Sequence, residues 1–254
     1  MNPNKVQDPL KQQVRKKTLI SFGAFFLLMG LAYWSWLRLY HSATTSDDPA
    51  IHAPLRKVLD LNGQLFQGSF SEQKLAKTFP VRDAVKQVRV NGNLGLGGTF
   101  DTSTWKLHLV RAPGDTLLIG MDEIRRLPKT EIVFDFKCIE GWDQVTYWAG
   151  VKMMDFLKAY HLDSLTAHKY IGLATPDNGY YVGIDMPSAI HPQTLLCYEM
   201  NGRPLPMNQG APLRLIIPVK YGIKHLKRIG SFYFSDTPPR DYWAEQGYDY
   251  YSGH

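Results

Sequence analysis

Residues 18–37, TLISFGAFFLLMGLAYWSWL, contain no charged side chain over 20 positions. A helix of that length rises about 30 Å, the thickness of a bilayer's hydrocarbon core. It is apolar on every face, with no polar side, which argues against a buried helix of a soluble domain. Lys11, Arg15, Lys16 and Lys17 precede it, and Asp47 and Asp48 follow. The positive-inside rule then puts the N-terminus in the cytoplasm and the rest of the chain outside a cytoplasmic membrane crossed once. Trp34, Trp36 and Tyr40 sit at the outer end, as an aromatic belt does. The competing expectation is a cleavable signal peptide. Its apolar region would span about 7–15 residues, and Ser42-Ala43-Thr44 is a poor cleavage site. Arg15-Lys16-Lys17-Thr18-Leu19 loosely has the form of a twin-arginine export signal, with Lys for the second Arg. The expected organisation is a basic cytoplasmic tail (1–17), a transmembrane anchor (18–40), a polar linker (41–55) and one domain (56–254).

The formal charge is +6, which could signal nucleic acid. Residues 1–40 carry a net +5 of it, leaving +1 for the other 214 residues. A near-neutral body argues against a nucleic-acid-binding domain. Hydrophobic residues at 44% and charged residues at 20% exclude a disordered chain. Two cysteines exclude a disulfide scaffold and a four-cysteine zinc site.

The body alternates in places. Trp105, Leu107 and Leu109 share one face of a predicted strand, as do Ile132, Phe134, Phe136 and Cys138 of another. Residues 213–218 and 231–235 are also β-rich. A helix is predicted over 151–160 and a short one over 122–127. Asn201-Gly202-Arg203-Pro204 is a turn signal. The pattern is α+β and strand-rich, without the regular alternation of a doubly wound sheet.

Familiar catalytic motifs are absent: no G-x-S-x-G, no phosphate-binding G-x-x-x-x-G-K-[ST], no H-E-x-x-H. His161 and His168 are the one histidine pair near metal-ligand spacing. Cys138 ends an alternating strand and is followed by Ile139-Glu140-Gly141-Trp142. A thiolate there is placed for a soft or high-valent metal; a buried structural thiol is the alternative. Cys197 reads as core, and a Cys138–Cys197 disulfide is a third option outside the cytoplasm. Residues 214–227, RLIIPVKYGIKHLK, cluster Arg214, Lys220, Lys224, His225 and Lys227 around Gly222. Basic groups at a strand-to-turn junction can grip a phosphate. The interleaved Tyr221, Ile223 and Leu226 predict a packed loop.

Four pieces in order carry a resemblance: Val88-Arg89-Val90-Asn91-Gly92-Asn93; Phe136-Lys137-Cys138-Ile139-Glu140-Gly141-Trp142; Met200-Asn201-Gly202-Arg203-Pro204-Leu205-Pro206; and Gly210-Ala211-Pro212-Leu213-Arg214-Leu215 running into Pro218 through Lys227. With the tail Tyr242-Trp243 to Gly247-Tyr248, they resemble the sulfite oxidase fold family of molybdopterin-dependent oxidoreductases, closest to its bacterial exported members. The resemblance spans roughly residues 80–250. It implies a sulfite-oxidase-type fold and a molybdenum–molybdopterin cofactor, with Cys138 as both metal ligand and catalytic residue. It implies cofactor contacts at Asn91, Thr175, Arg214, Lys224, His225, Leu226 and Lys227. Tyr221, Tyr248, Tyr250 and Tyr251 are candidates for the pocket wall.

The implied reaction is a two-electron oxygen-atom transfer, either sulfoxide or N-oxide reduction or a sulfite-type oxidation. No C-x-x-C-H haem attachment exists. Electrons must therefore pass through a separate partner, such as a haem-containing membrane protein or a cytochrome. Gly92-Asn93-Leu94-Gly95 stands where sulfoxide-reductase-like relatives carry an aromatic–acidic pair. Gln209 replaces an expected Asn, and no set of arginines marks a sulfite pocket. A membrane-tethered binding or scaffold module that has lost its metal is the alternative function.

Overall fold

A computed structural model describes residues 8–43, 52–69 and 74–254. It divides into two compact units, Met1–Val58 and Leu59–His254. Residues 1–7 of the predicted tail and 44–51 of the predicted linker lie outside the described residues.

In the first unit, α1 (Asp8–Tyr40) runs for 33 residues. It is the one described helix long and apolar enough to cross a membrane, and none of its apolar window is buried. A second helix, α2 (Ala53–Ser69), begins inside the stretch read as linker. The sequence reading missed it.

The second unit takes in α2 from Leu59 onward and a 3-10 turn at Val81–Asp83; its strands begin with a hairpin, β1 (Lys106–Ala112) and β2 (Asp115–Gly120), followed by the short α3 (Met121–Arg125). A longer hairpin follows, β3 (Lys129–Lys137) and β4 (Asp143–Lys152), which leads into α4 (Met153–Ala159). Next come β5 (Tyr170–Ala174), β6 (Tyr181–Asp185) and α5 (Met186–Ala189). The chain continues through β7 (Leu195–Met200), β8 (Arg203–Pro204), β9 (Arg214–Ile216), β10 (Ser231–Ser235) and α6 (Tyr242–Glu245).

The strands form two five-stranded sheets. One has the order β2-β1-β10-β5-β6; the other has β3-β4-β7-β8, with β9 also paired to β7. Every pairing is antiparallel except β1 with β10, where Leu109 stands opposite Phe232. Two apolar clusters hold the unit. The larger gathers Leu107, Leu109, Phe156, Ile171 and Phe232; the smaller gathers Ile132, Phe134, Trp148, Leu195 and Cys197. Each fully buried Leu, Ile or Phe contributes about 1.5–3 kcal/mol of transfer free energy.

The predicted strand faces are present. Trp105, Leu107 and Leu109 are buried, as are Ile132 and Phe134. Residues 231–235 form β10 as expected, while residues 213–218 contain the shorter β9. The Asn201-Gly202 signal becomes the β7–β8 turn, with φ of 52° and 70° at its two residues. That is the left-handed geometry a two-residue hairpin demands. The helix expected over 151–160 is shorter, because Val151 and Lys152 complete β4 by pairing with Leu196 and Leu195.

Candidate functional site

The β3–β4 turn explains the position of Cys138. The Cys138 N–H donates to the Trp142 carbonyl (2.9 Å), and the Gly141 N–H donates to the Cys138 carbonyl (3.0 Å). Gly141 has φ +84°, a conformation glycine adopts without steric cost. The turn closes under the thiol and presents it to a cavity of about 300 Å³. The Asn91 Nδ2 donates to Cys138 Sγ at 3.4 Å, and the Glu140 N–H also bonds the sulfur. Burial pushes the thiol pKa up, and both donors oppose that shift.

One wall of the cavity is basic. Arg214 on β9 is 2% exposed. One of its terminal nitrogens donates to the Gln209 carbonyl (3.1 Å) and to Gln209 Oε1 (2.9 Å). Its guanidinium lies 4.6 Å over the Trp148 ring. Its Nε is buried without a hydrogen-bond partner, and no carboxylate pairs with it among the described residues. Burial lowers its pKa to about 10. Lys227 Nζ is bound by the carbonyls of Asn91 and Gly92 (2.9 Å for the second); burial, and then Arg214, lower it to about 8. His225 is neutral: burial first, then Arg214, push it down to about 3. Its Nε2 faces the Lys220 carbonyl at 3.1 Å, and its ring meets the Phe136 ring edge-on at 4.7 Å.

Gln209 has a structural reason to be longer than Asn. Its Nε2 reaches the carbonyls of Val88 (3.4 Å) and Arg89 (3.3 Å) while its Oε1 holds Arg214. It therefore couples the Asn91 segment to the buried guanidinium.

Five of the eight predicted site residues line this one cavity: Asn91, Cys138, Arg214, His225 and Lys227. Thr175, Lys224 and Leu226 are not among its lining residues. Thr175 lies beneath the Leu94-Gly95 loop, where a Cβ on Gly95 would collide with its side chain; its hydroxyl donates to Asp177 Oδ1 (2.6 Å). Leu226 belongs to the larger core. Lys224 forms a buried ion pair with Asp241. Of the candidate tyrosines, Tyr248 lines the cavity, whereas Tyr221, Tyr250 and Tyr251 do not. Trp142, Tyr180 and Trp243 line it as well; no periodicity marked them, because they converge from separate parts of the chain.

Both cysteines are unbonded, which removes the disulfide reading, and Cys197 is fully buried as expected of core. His161 and His168 belong to no metal-holding group of three or more side chains among the described residues. His168 instead pairs with Asp236 at 3.0 Å.

Residues 95–243 match the model of the oxidoreductase molybdopterin-binding domain. The putative protein-methionine-sulfoxide reductase subunit YedZ1 of Azospira oryzae is 30% identical over 219 residues, covering 85% of this chain and 82% of that protein. The catalytic subunit MsrP of the protein-methionine-sulfoxide reductase of Campylobacter jejuni is 29% identical over 178 residues, covering 63% and 59%. Mitochondrial sulfite oxidase of Rattus norvegicus is 30% identical over 180 residues, covering 60% and 33%. The chain thus spans less than two thirds of the last two relatives. With more than half its length inside the domain match, it belongs to the molybdopterin-binding oxidoreductases of the sulfite oxidase fold family.

Proposed function

We propose that the protein is a membrane-anchored reductase that removes the oxygen of a sulfoxide outside the cytoplasmic membrane, receiving electrons from a separate redox protein. The observation that carries the reading is the cavity itself, where one thiol, a basic wall and an aromatic wall meet.

The cavity fits the cofactor. Cys138 is a single soft donor, and no group of three or more metal-ligating side chains exists among the described residues. A metal held here therefore arrives with its other donors already attached. The orphaned Nε of Arg214 marks a buried cation that lacks its anion. A phosphate-bearing pterin supplies one. When bound, the molybdenum–molybdopterin group supplies the two-electron oxygen-atom transfer.

The chain's own residues do the rest. Cys138 Sγ holds the metal, and Asn91 Nδ2 and the Glu140 N–H stabilise the sulfur's charge. Arg214 and Lys227 bind the anionic end. Trp142, Trp243 and Tyr248 exclude water and orient the substrate. The lining holds three cations, Arg89, Arg214 and Lys227, and one carboxylate, Glu140, whose oxygen accepts from Trp142 Nε1 at 2.9 Å. Two of those three cations are already committed to the cofactor. A doubly charged sulfite finds few free cations here, whereas the aromatic and aliphatic lining suits a neutral sulfoxide with apolar substituents. The anchor and the outward orientation are supported by the 20-residue apolar run and its basic flank.

The test is direct. Full-length protein from a host that makes molybdopterin is expected to carry molybdenum close to one per chain by mass spectrometry. It should oxidise a reduced dye with methyl phenyl sulfoxide present and show no turnover with sulfite. Sulfite oxidation without sulfoxide reduction would reverse the assignment.

The Arg214 reading makes a second prediction, with opposite signs in two states. Without cofactor, Arg214→Met is expected to be neutral or mildly stabilising, because it removes a buried charge that lacks an ion partner. With cofactor, it is expected to weaken retention by about 10–100-fold, the value of one or two charge-assisted hydrogen bonds. Urea midpoints of the empty chain and molybdenum loss on dialysis measure the two signs separately.

A further inference from the structure

We infer that the buried Lys224–Asp241 pair is a positioning device: it ties the turn carrying Gly222, Ile223 and His225 to the tail carrying Trp243 and Tyr248, and so sets the aromatic wall of the cavity. This rests on the oxidoreductase reading. It gives Lys224 a task other than contact with the cofactor.

The geometry is specific. The Lys224 and Asp241 side chains are 1% and 2% exposed. Lys224 Nζ donates to Asp241 Oδ2 and to the Gly183 carbonyl on β6 (3.1 Å). Asp241 Oδ2 also accepts the Gly183 N–H (3.1 Å), and Oδ1 caps α6 by accepting the Ala244 N–H (3.0 Å). The same ammonium sits 4.4 Å over the Tyr250 ring, whose hydroxyl donates to the Pro239 carbonyl (3.0 Å). One cation thus meets the tail at both ends of the segment 241–250.

Trp243 and Tyr248 lie inside that segment. Their rings are 5.2 Å apart, and the Tyr248 N–H donates to the Trp243 carbonyl (2.9 Å). On the other side of the pair, Tyr180 joins the walls, its hydroxyl donating to the Ile223 carbonyl and its ring meeting Tyr242 at 5.6 Å. An apolar pair of equal volume would hold two segments about as firmly as this ion pair does. The ion pair adds direction. Nζ must meet Oδ2 and the Gly183 carbonyl at once, which fixes the tail's register against β6. The substituents that fit the cavity then depend on Lys224, although it does not line it.

The double variant Lys224→Met/Asp241→Asn removes both charges together, so neither is left buried alone. It is compared with Lys224→Arg and with the parent, all as full-length, molybdenum-loaded protein. Three quantities are read: molybdenum per chain, amide exchange across residues 239–251, and kcat and KM for methyl phenyl sulfoxide. The expected result is unchanged molybdenum, tail exchange faster by at least about tenfold, and KM raised about tenfold with kcat within about threefold. Lys224→Arg is expected to recover most of the KM. Unchanged tail exchange overturns the inference, as does faster exchange with an unchanged KM. Loss of molybdenum together with the tail would show a general structural role and also overturn it. A parent that carries molybdenum but leaves the sulfoxide untouched defeats the substrate reading alone; tail exchange then decides the positioning claim.

Discussion

Cys138→Ser is expected to lower molybdenum-dependent turnover by more than about 100-fold while leaving the fold in place. Loss of a group that merely orients a metal ligand costs about 10–100-fold, and loss of the ligand itself should exceed that. The hydroxyl of serine is a harder and far less acidic donor than a thiol, so it neither matches the metal nor gives up its proton readily. The structural cost is small. Serine has nearly the volume of cysteine, and Asn91 Nδ2 can donate to Oγ as it does to Sγ. Circular dichroism and the urea midpoint should stay close to those of the parent, while turnover and the metal–sulfur signature disappear. Turnover within a few-fold of the parent would remove Cys138 from the metal.

The second large effect is on stability. Lys220→Met is expected to cost about 3–5 kcal/mol, because it leaves Asp185 charged and buried without its cation. For a unit of this size that corresponds to a fall in Tm of roughly 6–20 °C. Lys220 Nζ donates to Asp185 Oδ1 (2.7 Å) and to the Tyr251 carbonyl (2.8 Å) and lies against the Tyr251 ring. Asp185 in turn caps α5, its Oδ2 accepting the Ser188 N–H (3.1 Å) and hydroxyl (2.7 Å). Burial pulls the ammonium's pKa down, and the carboxylate opposes that. Lys220→Met/Asp185→Asn should be more stable than Lys220→Met, since neither charge is then stranded. Thermal melts of the parent, the single variant and the double variant give the answer; a single variant as stable as the parent would mean that Asp185 finds other compensation.

Several of these features could be read from the chain alone. The alternation through Ile132, Phe134 and Phe136 predicted a strand that ends at Cys138, and a short-range hydrogen-bonded turn does place the thiol there. The Asn201-Gly202 turn was equally legible, because its backbone preference is local. Strands β5 and β6 were not. Four of the five residues in each are buried, so no alternation separates them from other apolar runs. The helix expected over 151–160 began too early, because pairing with β7, more than 40 positions further on, claims its first two residues. Lys224 illustrates the same limit at the site. Its charge was visible, but its partner Asp241 comes from the tail, so no local pattern announced the buried ion pair.

The parallel pairing of β1 with β10 has a consequence for synthesis. β1 is made early, yet the strand that covers its open edge follows about 120 residues later. At about 5–20 residues per second, the ribosome leaves that edge bare for roughly 6–25 seconds. The cavity closes later still, since Trp243 and Tyr248 follow β10 in the chain. The cavity that fits the cofactor therefore stays open on this side until Tyr248 has been made.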